Sequence, residues 1–286
     1  MSEKKRIIIW LGFACLVYIN LIAWEFLLGS TNLKVTFFDV GQGDAIFIET
    51  PQGQQILIDG GPDNSVVEKL DKTLPFWDKS LDLVVLTHAD ADHITGLVPV
   101  LEDYKIDSVL WTGVEKNTNI FTAWKDALLN ENSYVAYAEA LQKIFWSQNK
   151  DQEYIEILYP NRAAIENVKA VNDTSIIARL VFGEHSFLFT GDISDSVERE
   201  LVRSNADIDA DILKIPHHGS KSSNSSVFLS AVTPELGIIQ VGAKNRYGHP
   251  TKEALDRLAS IPVLRTDKNG DIVIETNGTE FSYQYK

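Results

Sequence analysis

Two histidines and two aspartates, His88, Asp90, Asp92 and His93, fall within six residues of the stretch THADADHITG, directly after the apolar run LDLVVL. Carboxylates so close repel one another and raise each other's pKa, so a cation is needed to hold them at the end of a buried strand. His88 and Asp90 alternate along extended backbone and share one side; Asp92 and His93 follow where the chain turns into a helix. Two ligand pairs therefore face one cavity. If Asp92 only capped the helix starting near Ile94, one aspartate would be explained and three residues would not.

Two later clusters belong with the first. FLFTGD ends an apolar run at Asp192, and LKIPHHGS ends another at His217 and His218. Loops at the ends of buried strands are where sites are built, and together the clusters supply the ligands of a two-metal centre. Other residues carry two readings each. Asp59 in LIDGG either accepts hydrogen bonds that orient the metal loop or is a turn residue before Gly60 and Gly61. Gly41 and Gly43 of DVGQGDA serve a tight turn, with Asp44 on the cavity rim. His249 in NRYGHP touches substrate, acts as an acid, or is an ordinary turn histidine. Ser220 and Lys221 bind phosphate oxygens, or SKSSNSS is a helix-capping loop. His185 lies in a hairpin and carries no role.

The elements that must position these residues follow from periodicity. LKVTFFDV, AIFIET and QILIDGG read as a β-meander, and LDLVVL as a strand buried on both faces. Helical spacing covers 64–73, ITGLVPVLEDY and NIFTAWKDALLNEN. EYIEILYP, TSIIARLVF and HSFLFTGD are further strands, the last two joined at Gly183-Glu184. Asp195 to Ser204 predicts a helix, DILKIP and GIIQVG strands, TKEALDRLAS a helix, and DIVIET and EFSYQY closing strands. No repeat or linker interrupts residues 31–286, which predicts one α/β domain of two sheets packed between helices.

The chain of 286 residues is 44% hydrophobic, enough apolar side chain for a large core. Its formal net charge of -14 excludes a broad basic surface for gripping nucleic acid, so an anionic substrate must be held locally. Residues 1–30 differ from the rest: Lys4, Lys5 and Arg6 precede an apolar run over 7–29 interrupted by Asn20 and Glu25. That run matches the roughly 20 residues of a bilayer-spanning helix, and the basic flank places the N-terminus in the cytoplasm. A single-pass transmembrane signal anchor with an extracytoplasmic domain is expected; a cleaved signal peptide is the alternative. The only cysteine, Cys15, lies in the apolar run, leaving the rest without thiols or disulfides.

The motifs DVGQGDA, LIDGG, THADADHITGL, NDTS, FTGD, PHHGS and YGHP occur in an order that resembles metallo-β-lactamase-fold hydrolases, most closely the C-terminal domain of ComEC-type DNA-uptake proteins. The resemblance implies an αββα sandwich with metals along one edge. It makes His88 and Asp90 the first ligand pair, Asp92 and His93 ligands of the second metal, and Asp192 the bridging carboxylate. His218 is preferred over His217 as ligand, with His217 placed toward the substrate. The third histidine of the first site is replaced by VNDTS, where Asn172 and Asp173 stand near the metals. Oxygen ligands in place of imidazole favour Mn²⁺ or Mg²⁺ at the first site, and the second suits Zn²⁺.

The expected function is a membrane-anchored, metal-dependent phosphodiesterase or nuclease in which a metal-activated water attacks phosphorus, with Asp92, His217 and His249 nearest the chemistry. Single-stranded DNA is the leading substrate, and a separate competence channel protein is an expected partner. An esterase or lactonase would use the same metals on a carbonyl substrate and fail on phosphodiesters. A non-catalytic binding module with a degenerate site would show neither stoichiometric metal nor hydrolysis.

Overall fold

The computed structural model of the chain describes residues 5, 10–18 and 32–285. Within the first segment 10–18 are helical (α1), and Cys15 is exposed. No helix among the described residues is long and apolar enough to cross a membrane. Most of the anchor expected over 7–29 lies outside the described residues.

From residue 33 the chain lays down β1 (Leu33–Phe37), β2 (Ile46–Glu49), β3 (Gln55–Ile58), β4 (Ser80–Leu86), β5 (Lys105–Trp111) and β6 (Tyr134–Tyr137) as neighbours in one sheet. A second sheet follows from β7 (Lys143–Phe145), β8 (Glu153–Tyr159), β9 (Ile177–Phe182), β10 (His185–Phe189), β11 (Ile212–Lys214), β12 (Leu236–Ile239) and β13 (Val263–Arg265). The chain then returns to the first sheet with β14 (Ile272–Thr276) and β15 (Phe281–Tyr285), β14 pairing antiparallel with β1. The helices are α2 (Ser65–Thr73), α3 (Ala91–Ile94), α4 (Leu97–Asp103), α5 (Asn119–Glu131), α6 (Arg162–Glu166), α7 (Asp195–Arg203), α8 (Ser226–Val232), α9 (Lys252–Arg257) and α10 (Thr266–Asn269).

The side-chain period of two decides the layers. In β3, Ile56 and Ile58 face the second sheet, where they pack with Ile155, Leu180, Phe187 and Phe189; Leu57 faces away, among Val66 and Leu70 of α2 and Trp124 of α5. On the far face of the second sheet, Leu188 and Leu213 pack with Val197 and Leu201 of α7 and Phe228 of α8. The result is an αββα sandwich in which the inner strands of both sheets are buried on both faces, while the edge strands β6, β7 and β15 are open to solvent. Each fully buried Leu, Ile or Phe contributes roughly 1.5–3 kcal/mol of burial, so the strand ends that carry the site are held by the packed cores on either face of the sheets.

The expected meander, the buried strand over 81–86 and the hairpin at Gly183 are present. The helix expected over ITGLVPVLEDY is α4, which begins only at Leu97; the short α3 before it ends at Ile94, with Thr95-Gly96 between them. The break follows from contact with the LIDGG turn: a Cβ on Gly96 would lie 1.9 Å from the Gly60 carbonyl oxygen. Strands β6 and β7 are additions at the sheet edges, short and half-exposed.

Candidate metal centre

Four chain segments converge at one end of the sandwich. The β4 end delivers Thr87 and His88 and α3 delivers Asp92 and His93; the turn after β3 brings Asp59, the β10 end Asp192, and a 3-10 turn after β11 brings His217 and His218. Asp59, His217 and His218 all have left-handed backbone, at φ 59, 52 and 52. For side chains with a Cβ this conformation is strained by about 1–2 kcal/mol each, and such strain concentrates at functional sites.

The hydrogen bonds fix each imidazole in one orientation. Asp59, fully buried, accepts from the Thr87 amide at 2.8 Å, the Thr87 hydroxyl at 2.6 Å and His93 Nδ1 at 2.7 Å. Having given its proton to Asp59, the Thr87 hydroxyl accepts from His88 Nδ1 at 3.0 Å. The Gln240 carbonyl accepts from His218 Nδ1 at 2.8 Å. With Nδ1 the donor in all three rings, each Nε2 turns its lone pair inward. The Nε2 atoms of His88, His93 and His218 are all buried without a hydrogen-bond partner, as is Oδ1 of Asp192. Such orphans are costly in a low-dielectric interior unless something binds them.

Ligand atoms from Asp92, His93, Asp192 and His218 all lie within 4.8 Å of one another. His218 Nε2 stands 3.2 Å from Asp192 Oδ2 and 3.4 Å from Asp92 Oδ2; His93 Nε2 stands 3.5 Å from Asp192 Oδ2. That spread matches four donors around one ion about 2.0–2.3 Å from each. The donor set, two imidazoles and two carboxylates with orphaned lone pairs, fits a divalent cation.

The charges agree. Burial alone would push the His93 and His218 imidazoles down, but Asp192, with Asp59 beside His93 and Asp44 beside His218, outweighs it and holds both well above the ordinary histidine range. Burial works to raise the Asp92 and Asp192 carboxyls, and the two histidines hold them below the ordinary carboxylate range instead. The carboxylates that would trap protons there equally attract a metal. His88 behaves differently: burial and the neighbouring His93 push it down to about 4, leaving it a neutral ligand.

Other expected site residues are placed less directly. Asp90 lies beside the cluster but accepts from Lys116 Nζ at 2.6 Å. His217 is on the open side, with Nε2 3.8 Å from Asp192 Oδ2. His249 is half-buried 5.6 Å from the His217 ring and 6.5 Å from the His218 ring, and burial with those neighbours pushes it down to about 4. Asn172 and Asp173 reach Asp192 through the backbone: the Asn172 carbonyl accepts from the Ser175 hydroxyl, which accepts from the Asp192 amide at 3.2 Å, and Asp173 accepts from the Ser194 amide. Ser220 is buried in a serine network with Ser222, and Lys221 is exposed. No serine side chain of SKSSNSS caps α8; the buried Glu198 of α7 accepts from the Asn224 and Ser225 amides just before that helix.

Asp44 is not on the rim. It is buried and bonded to Lys214 Nζ, itself fully buried, and lies 3.3 Å from His218 Nδ1. Lys214 also donates to the Gly191 carbonyl and stands 3.9 Å from Asp192 Oδ1. Gly43 makes room for this arrangement, because a Cβ there would sit 2.1 Å from the Asp92 carbonyl oxygen. The sequence alone assigns Lys214, Gln240, Ser175 and Lys116 no role, although Ser175 closes the NDTS motif and Lys214 ends the wholly buried strand ILK ahead of PHHGS.

With this fold and this centre, the chain belongs to the metallo-beta-lactamase superfamily, whose model matches residues 38–242. Among curated proteins it is 29% identical to ComE operon protein 3 of Bacillus subtilis over 91% of this chain and 35% of that protein. It is 30% identical to competence protein ComA of Neisseria gonorrhoeae over 82% of this chain and 31% of that one. The chain thus spans about a third of the length of these relatives. Among solved structures, the metallo-beta-lactamase fold protein YhfI from Bacillus subtilis superposes with a TM-score of 0.57 at 16% identity, covering 86% of this chain and 99% of that one, a likeness of fold.

Proposed function

We propose that the chain is a metal-dependent phosphodiesterase acting on nucleic acid. The observation that carries this is the set of inward, unpartnered Nε2 atoms of His88, His93 and His218 beside Asp92 and Asp192. Asp92, His93, Asp192 and His218 would hold one divalent ion, Mn²⁺ or Zn²⁺; His88 and Asp90 would serve a second once Asp90 leaves Lys116. A bound ion supplies Lewis acidity, activating a water and polarising the phosphoryl oxygens.

The chain's own residues supply the rest. Asp59 and Gln240 accept from Nδ1 of His93 and His218, so that Nε2 is the atom each ring turns to a metal and the one that gives up a proton when the metal binds. Lys214 neutralises Asp44 and faces Asp192, limiting repulsion among buried carboxylates. His217 and His249, on the open side and held below the ordinary histidine range, are neutral at pH 7 and so are available to accept a proton or a hydrogen bond beside the centre. The similarity to competence proteins supports DNA as the polymer. The basic flank at 4–6 and the apolar run at 7–29 support a membrane tether with the sandwich outside the cytoplasm, and a separate channel chain is the partner this arrangement calls for.

The test is hydrolysis of bis-p-nitrophenyl phosphate and of single-stranded DNA by the full chain with added Mn²⁺ or Zn²⁺. Metal-dependent cleavage is expected. Metal binding with hydrolysis of esters or lactones alone would move the assignment to a carbonyl hydrolase, and absence of both metal and hydrolysis would make it a binding module.

A further inference from the structure

The loop over 242–250 leads from solvent to the metal centre and is built as a rigid presenter. Asn245 staples it from within: its amide group donates to the Gly242 carbonyl at 2.9 Å and the His249 carbonyl at 2.7 Å, and its oxygen accepts from the Tyr247 and His249 amides at 3.2 and 2.9 Å. At one end a Cβ on Gly242 would meet the Gln42 backbone nitrogen at 2.8 Å. At the other, the Thr251 amide donates to the Gly219 carbonyl, next to His218. The loop is therefore anchored at both ends to segments that build the centre.

What it presents is a ladder of flat groups. The Arg246 guanidinium lies 5.0 Å from the Tyr247 ring centroid; the Tyr247 ring stacks on His249 at 5.8 Å and 25°; His249 faces His217 and His218. Tyr247 is 51% exposed on this anchored loop. Among the described residues Arg246, Lys244 and the nearby Lys221 enter no ion pair, and all three are exposed. On a chain of net charge -14, these cations beside the centre form a local site for anions.

We infer that Arg246 and Tyr247 form the platform that receives the nucleotide next to the scissile phosphate, selecting single-stranded over duplex nucleic acid. This rests on the phosphodiesterase assignment of the same site. A base takes the place of the Arg246 guanidinium over the Tyr247 ring, which stays stacked on His249, and the guanidinium, giving up its 2.9 Å bond to the Tyr247 hydroxyl, turns its planar fork to the adjoining phosphate. A base inside a duplex has both faces covered by its neighbours and cannot use the platform without leaving the stack. Specificity is thus concentrated in two residues, which is how an acidic protein can handle a polyanion without a basic groove.

The test is fluorescence anisotropy of a labelled oligo-dT strand and of a labelled duplex against the full chain under EDTA, so that binding is read without cleavage. Metal content of separately loaded samples marks an intact centre. Tyr247→Ala is expected to weaken single-strand binding about 5- to 100-fold, and Tyr247→Phe to restore it. Arg246→Ala is expected to flatten the salt dependence, reducing the slope of log K against log salt by about 0.7. Wild-type affinity for the single strand in Tyr247→Ala, or equal loss for strand and duplex, would overturn the inference whether or not the chain is a hydrolase. Selective loss in a chain that cleaves no phosphodiester would uphold the platform and overturn the hydrolase assignment alone.

Discussion

Replacing Asp59 by asparagine removes one charge and no volume, and the structure sets the consequence. Asp59 now satisfies three donors, the Thr87 amide, the Thr87 hydroxyl and His93 Nδ1. An asparagine has one oxygen, so if it keeps the Thr87 amide its own NH2 group faces the other two donors. The Thr87 hydroxyl can rotate away, but His93 must either bury an unpaired Nδ1–H, at about 1–3 kcal/mol, or move that proton to Nε2 and lose its inward lone pair. Both routes weaken the centre at the same atom. Loss of such a supporting carboxylate typically costs 10- to 100-fold in metal affinity, or about 1.4–2.7 kcal/mol. Competition against a chromophoric chelator measures this, with the far-UV spectrum checking that the fold is intact. Asp59→Asn binding metal within twofold of wild type would refute the claim that Asp59 sets the His93 proton.

Three further outcomes follow from the same contacts. Lys116→Met removes the ammonium bonded to Asp90 and is expected to raise affinity for a second Mn²⁺ at His88 and Asp90, read by calorimetric titration; an unchanged second binding step would contradict it. Glu198→Ala leaves the Asn224 and Ser225 amides without their carboxylate and should lower stability by about 2–4 kcal/mol in urea unfolding, while loss under 0.5 kcal/mol would show that water replaces it. In chelated protein, the raised His93 and His218 give stability that is full below about pH 6.5 and lost as pH rises through their folded values. The lowered Asp92 and Asp192 give stability that is present above about pH 4 and lost as pH falls through theirs. EDTA should therefore lower Tm more at pH 8 than at pH 6; an equal drop at both would contradict these directions.

What the sequence revealed, and what it hid, divides along one physical line. His88, Asp92, His93, Asp192 and His218 stand at the ends of apolar runs, and a polar cluster after a buried strand is visible without knowing the fold. The groups that tune them act across the fold. Gln240 bonds the carbonyls of Phe38 and Ala45, 202 and 195 residues away in sequence, and Lys214 meets Asp44 from the other sheet. Spacing puts Asp90 beside His88 but cannot show that Lys116 lies across from it. Strands β6 and β7, reading YVAY and KIF at half-exposed edges, lack the apolar alternation that made the inner strands legible.

The central claim is that Asp92, His93, Asp192 and His218 hold a divalent ion that the reaction needs. Metal stoichiometry of wild type and Asp92→Ala, paired with their rates on bis-p-nitrophenyl phosphate under saturating Mn²⁺, tests it most directly. The account predicts bound metal and metal-dependent hydrolysis in wild type, with both reduced at least 100-fold in affinity and rate in the folded variant. Undiminished hydrolysis by Asp92→Ala would contradict it.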